Sequence, residues 1–132
     1  MRIYLVDDDA ALRQALREVL ERTGHEVRVD ANGLATRRTL RGWLPDLVIC
    51  DMLMPDAEGF EVLRTVRDIA PRAKFVMISG ASGELSGFLD RAPLLGADAV
   101  LQKPFTPPDL LELIGELVPT VATREEREPC LR

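Results

Sequence analysis

Five short runs of aliphatic and β-branched residues, each followed by a longer stretch of polar and apolar residues, constrain this chain more than any other feature of it. The runs are Ile3–Val6, Glu26–Val29, Asp46–Cys50, Lys74–Ile78 and Ala99–Leu101. A run such as Leu47-Val48-Ile49-Cys50 has no polar face to turn to water, so as a strand it must be covered by helices on both sides. Strands of that kind alternating with helical patterns predict βα units around a parallel sheet, an α/β fold with five units in all.

The intervening segments carry helix signals. Ala10–Arg22 places Leu12, Leu16, Val19 and Leu20 on one face, and Gly24 supplies the stop. Asn32 is the expected N-cap of a second helix running through Leu34 and Leu40 to a stop near Gly42. A third helix spans Glu58–Ile69 and is closed by Pro71. A fourth falls within Glu84–Leu95, weakened by Gly87 and Pro93. In the last helix Thr106 is the N-cap, Pro107 holds the first helical position, and Asp109 sits in the first turn, where the helix dipole favours an anion; Val118-Pro119 ends it.

The chain has 132 residues, 46% of them hydrophobic and 30% charged, enough for one packed domain and too few for two. That domain is expected over residues 1–118. The stretch 119–132, including Thr123-Arg124-Glu125-Glu126-Arg127-Glu128-Pro129, has too little to bury to offset its ordering entropy, so a mobile polar tail is expected. A net charge of −5 leaves no basic face, which argues against direct nucleic-acid binding. The apolar start of the chain meets Asp7 too soon for a signal peptide, and no run is long enough to cross a bilayer, so a cytoplasmic protein is expected. Cys50, in an apolar run, and Cys130, in the polar tail, are read as free thiols. His25 is placed in a surface turn, away from the acidic strand ends, and Trp43 at the edge of the core.

In an open parallel sheet, ligands gather beyond the carboxyl ends of the strands. Four of these ends carry polar chemistry: Asp7 and Asp8 after the first strand, Asp51 at the end of the third, Ser79 after the fourth and Lys103 after the fifth. Clustered carboxylates repel one another unless a cation intervenes, and oxygen ligands favour a hard ion such as Mg²⁺. With the cation present, an Asp51 oxygen can attack a phosphoryl group while Lys103 and Ser79 stabilise its peripheral oxygens. Asp9, immediately before Ala10, fits a helix N-cap better than a metal ligand. His/Cys zinc spacings, a P-loop and a GxGxxG fingerprint are all missing from the sequence.

The ordered set Leu5-Val6-Asp7-Asp8-Asp9, Val48-Ile49-Cys50-Asp51-Met52-Leu53-Met54-Pro55, Ser79-Gly80 and Lys103-Pro104-Phe105 resembles the response-regulator receiver family of two-component signalling. The resemblance covers roughly residues 1–118. It implies a (βα)5 flavodoxin-like three-layer sandwich with the five-stranded parallel sheet in the order 2-1-3-4-5. It further implies Asp51 as phosphoacceptor, Asp7 and Asp8 as the acidic Mg²⁺ pair, the backbone carbonyl of Leu53 as a further Mg²⁺ ligand, Lys103 as the phosphate-binding lysine and Ser79 as the switch hydroxyl. The implied donor is a phosphohistidine on a sensor histidine kinase or a histidine phosphotransfer protein. The output is a protein target bound in trans or onward passage of the phosphoryl group, from a monomer or weak dimer with no enzymatic role beyond its own phosphorylation and dephosphorylation.

Two departures stand out. Val100 occupies the position where many receivers carry Tyr or Phe as the rotating aromatic of the switch. The Ser79 to Lys103 segment is slightly long and holds several glycines and a proline, so an irregular fourth helix is expected. Two other readings remain at this point. A haloacid-dehalogenase-type phosphohydrolase would want a second acid two residues after its nucleophile, where this chain has Leu53. A receiver-like interaction module that needs no phosphate is compatible with Val100.

Overall fold

Leu47–Asp51 is buried at every residue because it forms the middle strand, β3, of a five-stranded parallel sheet. The computed structural model describes residues 1–51, 58–79 and 96–118. The other strands are β1 (Arg2–Val6), β2 (Glu26–Asp30), β4 (Lys74–Ser79) and β5 (Ala99–Gln102), in the spatial order β2-β1-β3-β4-β5. The helices described are α1 (Ala10–Arg22), α2 (Thr36–Thr39), α3 (Glu58–Ile69) and α4 (Pro107–Leu117). Both the parallel sheet and its 2-1-3-4-5 order are as expected. The expected helix within Glu84–Leu95 and the tail 119–132 lie outside the described residues.

Alternation along the strands sorts the core into two layers. Ile3 and Leu5 of β1 join Ile49 and Ile78 against Leu16 and Leu20 of α1 and Leu110 and Ile114 of α4. Tyr4 and Val6 point the other way, with Val48 and Phe75, onto Leu40, Trp43 and Val62 and Val66 of α3. Helices therefore cover both faces, giving three layers, and the residues at the sheet's carboxyl edge are held on a rigid floor.

The helix ends follow the sequence signals. The Asp9 carboxylate accepts from the amides of Ala11 and Leu12, capping α1. Thr106 and Asp109 form a reciprocal capping box at α4, with proline in its first turn. Gly24 takes a φ of +94°, a conformation that other residues rarely adopt. At the far end of the sheet, the Arg67 guanidinium donates to the carbonyls of Ala73 and Gly96 and pairs with Asp98 at 2.8 Å, fixing the entry to β5.

One helix differs from expectation. Asn32 does cap a helical turn, accepting from the Leu34 amide, but that turn is a 3₁₀ segment at Gly33–Ala35, followed by only four residues of α2. The reason lies in where the hydroxyls go. Thr36 bonds the buried Tyr4 hydroxyl at 3.0 Å, Thr39 donates to Asp30 at 2.6 Å, and Arg28 takes the Thr39 carbonyl at 2.8 Å. These tertiary bonds, with β-branched threonines and Gly33, outweigh a regular helix. His25 also departs from a simple surface position: it is half-buried, its Nδ1 3.2 Å from the Met1 ammonium.

Tyr4 is fully buried and its hydroxyl donates to Asp30 at 2.6 Å; burial, with the Asp30 carboxylate beside it, pushes the phenol well above its ordinary pKa. Tyr4→Phe takes a partner from the Thr36 hydroxyl and removes one of the two hydroxyls that donate to Asp30 Oδ2, leaving that of Thr39. It should cost on the order of 1–2 kcal/mol in urea unfolding. No loss of stability would mean that the hydroxyl network contributes nothing net.

Candidate functional site

The register of the sheet assembles the acidic cluster. Val6 of β1 lies opposite Cys50 of β3, so the next residues along, Asp7 and Asp51, emerge side by side at the carboxyl edge. Asp8 follows at the surface, and Asp9 turns away to cap α1. One carboxylate oxygen from each of Asp7, Asp8 and Asp51 lies within 4.8 Å of the others. Asp7 and Asp51 are buried, whereas Asp8 is exposed, so the cluster opens to solvent on the Asp8 side.

Asp7 is the most constrained of the three. Its Oδ1 accepts from the Asp9 amide at 2.8 Å, while its Oδ2 is buried with no hydrogen-bond partner among the described residues. Burial, reinforced by the Asp51 and Asp8 charges and opposed by the Asp9 amide and Lys103, pushes its carboxyl up to about 6. An unpartnered buried carboxylate oxygen beside two further carboxylates is an arrangement that a cation relieves. The ligands are oxygens alone, which suits a hard divalent ion such as Mg²⁺. The residues present fit such an ion.

Lys103, just past β5, reaches back across the sheet edge to place its ammonium 3.2 Å from Asp51 Oδ2. The pair is well covered, with the lysine side chain 28% and the aspartate 3% exposed. Lys103 is anchored by its own amide, which donates to the Ser79 carbonyl at 2.7 Å. Ser79 is buried at the end of β4, one residue beyond Ile78, the partner of Asp51 in the sheet. All five side chains expected at the strand ends therefore lie along one edge of the sheet. Leu53 and Met54-Pro55 are outside the described residues. Val100 is half-buried and packs against the α3 side of the core.

Two residues near this edge were not singled out in the sequence. The Asp30 carbonyl accepts from the Asp7 amide at 3.2 Å, and its carboxylate gathers the Tyr4 and Thr39 hydroxyls. A tyrosine in an otherwise aliphatic strand is a usable signal, since a buried phenol needs a partner. The Arg13 guanidinium donates to the Asp7 carbonyl at 2.7 Å, a contact for which the sequence carries no signal.

A doubly covered parallel sheet with clustered acids and a lysine at its carboxyl edge defines a class of α/β phosphoryl- or metal-binding domains. The response regulator receiver domain matches residues 3–115, and the chain belongs to that family, the signalling domain of two-component systems. It is 34% identical over 116 residues to the chemotaxis protein CheY of Bacillus subtilis, covering 87% of this chain and 95% of that one. It is 33% identical over 125 residues to the DNA-binding transcriptional regulator NtrC of Rhizobium meliloti, covering 95% of this chain but only 25% of that protein. The chain thus spans about a quarter of the length of NtrC. Among solved structures it resembles a CheY-like receiver domain protein from Methanospirillum hungatei, with a TM-score of 0.79, 35% identity, and coverage of 93% and 97% of the two chains. No helix among the described residues is long and apolar enough to cross a membrane.

Proposed function

We propose that this chain is a phosphoacceptor switch in which Asp51 takes a phosphoryl group from a phosphohistidine. The observation that carries the reading is the Lys103 ammonium 3.2 Å from an oxygen of Asp51, in a cluster whose Asp7 Oδ2 is buried and has no partner among the described residues. An Asp51 oxygen attacks phosphorus, the P–N bond of the donor breaks, and the imidazole leaves with the bonding pair. Lys103 holds Asp51 in place and then offers its charge to the phosphoryl oxygens, and the Ser79 hydroxyl at the end of β4 is a further donor to them. Asp7, Asp8, Asp51 and the Leu53 carbonyl are the proposed holders of Mg²⁺, which, when bound, neutralises the charge that builds on the transferring group.

The proposed working unit is residues 1–118, in the cytoplasm, with a sensor histidine kinase or a histidine phosphotransfer protein as donor. The output is altered binding to another protein or transfer of the phosphoryl group to a further histidine. With a net charge of −5, a protein partner suits this chain better than nucleic acid.

The test is intact-mass spectrometry after incubation with a small phosphodonor, with and without Mg²⁺, and then with a panel of phosphorylated sensor kinases. One added phosphoryl group that appears only with Mg²⁺ supports the proposal. No modification by any donor would overturn it in favour of an interaction module that works without phosphate.

A further inference from the structure

Asp7 is gripped at every polar atom of its own except one. Its amide donates to the Asp30 carbonyl at 3.2 Å, its carbonyl accepts from Arg13 Nη1 at 2.7 Å, and its Oδ1 accepts from the Asp9 amide at 2.8 Å. Only Oδ2 is left over, buried and without a partner among the described residues. Two of these three contacts come from the backbone of the loop itself or the neighbouring strand. The third is a side chain on α1, which reaches back six residues over the β1–α1 turn.

We propose that Arg13 is a positioning residue for cation binding, which fixes the β1–α1 turn through the Asp7 carbonyl so that Asp7 Oδ2 and the Asp8 carboxylate face the same ion. The inference rests on the metal-site reading above. Arg13 is half-buried, and its bond to the carbonyl is charge-assisted and short. Arg13 also belongs to the first turns of α1, where its amide takes the Asp9 carbonyl at 2.9 Å. One residue therefore ties the start of the helix to the end of the strand, and the two acids of the turn lie between these fixed points. Groups that hold a ligand without touching the metal commonly control metal affinity by about 10- to 100-fold.

A simple charge effect predicts the opposite sign, which makes the inference sharp. Arg13 is a cation close to an acidic cluster, and if it acted through its charge alone, removing it would raise the affinity for a divalent cation. If it acts by positioning, removing it lowers that affinity although the site becomes more negative.

The experiment is a Mg²⁺ titration of the full chain followed by backbone amide chemical shifts, on the wild type, Arg13→Met and Arg13→Lys, with metal-free stability measured by urea unfolding. Arg13→Met keeps the aliphatic stem and removes the donors; should it fail to fold, Arg13→Ala, a favourable helix residue, gives the same reading. The expected result is Mg²⁺ binding weakened by about tenfold or more in the Met variant and partly restored in the Lys variant, which keeps a charged donor. Unchanged or tighter binding in the Met or Ala variant would overturn the positioning role. A wild type that binds no Mg²⁺ would instead overturn the metal-site reading, and this inference with it.

Discussion

Asp51→Asn is expected to remove phosphoryl uptake altogether while leaving the protein folded. The side chain is 3% exposed and sits at the end of the central strand, so the isosteric amide fills the same space and opens no cavity. An amide oxygen is a poor nucleophile, and the acylphosphate that a carboxylate forms has no stable counterpart on it. Neither Asp7 nor Asp8 can take over: Asp7 is buried with one oxygen committed to the Asp9 amide, and Lys103 addresses Asp51. The expected loss is complete within the sensitivity of intact-mass spectrometry under conditions that label the wild type. Folding of the variant is checked by far-ultraviolet circular dichroism and urea unfolding, where the lost ion pair to Lys103 is offset by weaker repulsion among the acids. Labelling of Asp51→Asn at the wild-type level would place the acceptor elsewhere and sink the proposed chemistry.

The parts of this site that were legible in the sequence are those that depend on strand ends. Uninterrupted apolar runs such as Leu47–Cys50 identify buried parallel strands, and in such a sheet the first polar residue after the run lies at the carboxyl edge. Asp7, Asp51 and Ser79 follow that rule, and Lys103 comes one residue later, after Gln102, so their convergence at one edge could be anticipated from the order of runs and polar residues. Helix boundaries with a strong cap were equally clear: Asp9, Thr106 and Asp109 perform the roles their positions suggest.

What the sequence did not show depends on tertiary bonds between residues of ordinary type. Asn32 promised a longer helix, and the hydroxyls of Thr36 and Thr39 turned inward to Tyr4 and Asp30 instead. Arg13 reads as one more charged residue on an amphipathic helix until its guanidinium is seen on the Asp7 carbonyl. The Leu53 carbonyl is a different matter, because a backbone ligand has no signature in residue type at all, and its expected role came from family resemblance alone.

Asp7→Asn should make the metal-free protein more stable at pH 7.5, and the gain should fade in acid. Burial raises the Asp7 carboxyl from an ordinary 3.8 to about 6, so between these values the folded state holds a proton that the unfolded chain has released. Stability from this group is therefore greatest below about pH 4 and falls as pH rises toward 6, and the penalty is fully present above that. The difference corresponds to on the order of 2–3 kcal/mol at neutral pH. An asparagine carries no charge to bury and keeps an oxygen for the Asp9 amide, so it escapes that penalty. Urea unfolding with a chelator present should find the variant more stable at pH 7.5 by roughly this amount and close to the wild type near pH 4. Saturating Mg²⁺ should shift the comparison back toward the wild type, because a cation bound only by the folded state stabilises it and the variant has lost one of its carboxylates. A metal-free variant less stable than the wild type at pH 7.5 would mean that Asp7 is held by its hydrogen bonds more strongly than burial penalises its charge. In that case the acidic cluster is a settled structural feature, and the cation is not needed to relieve it.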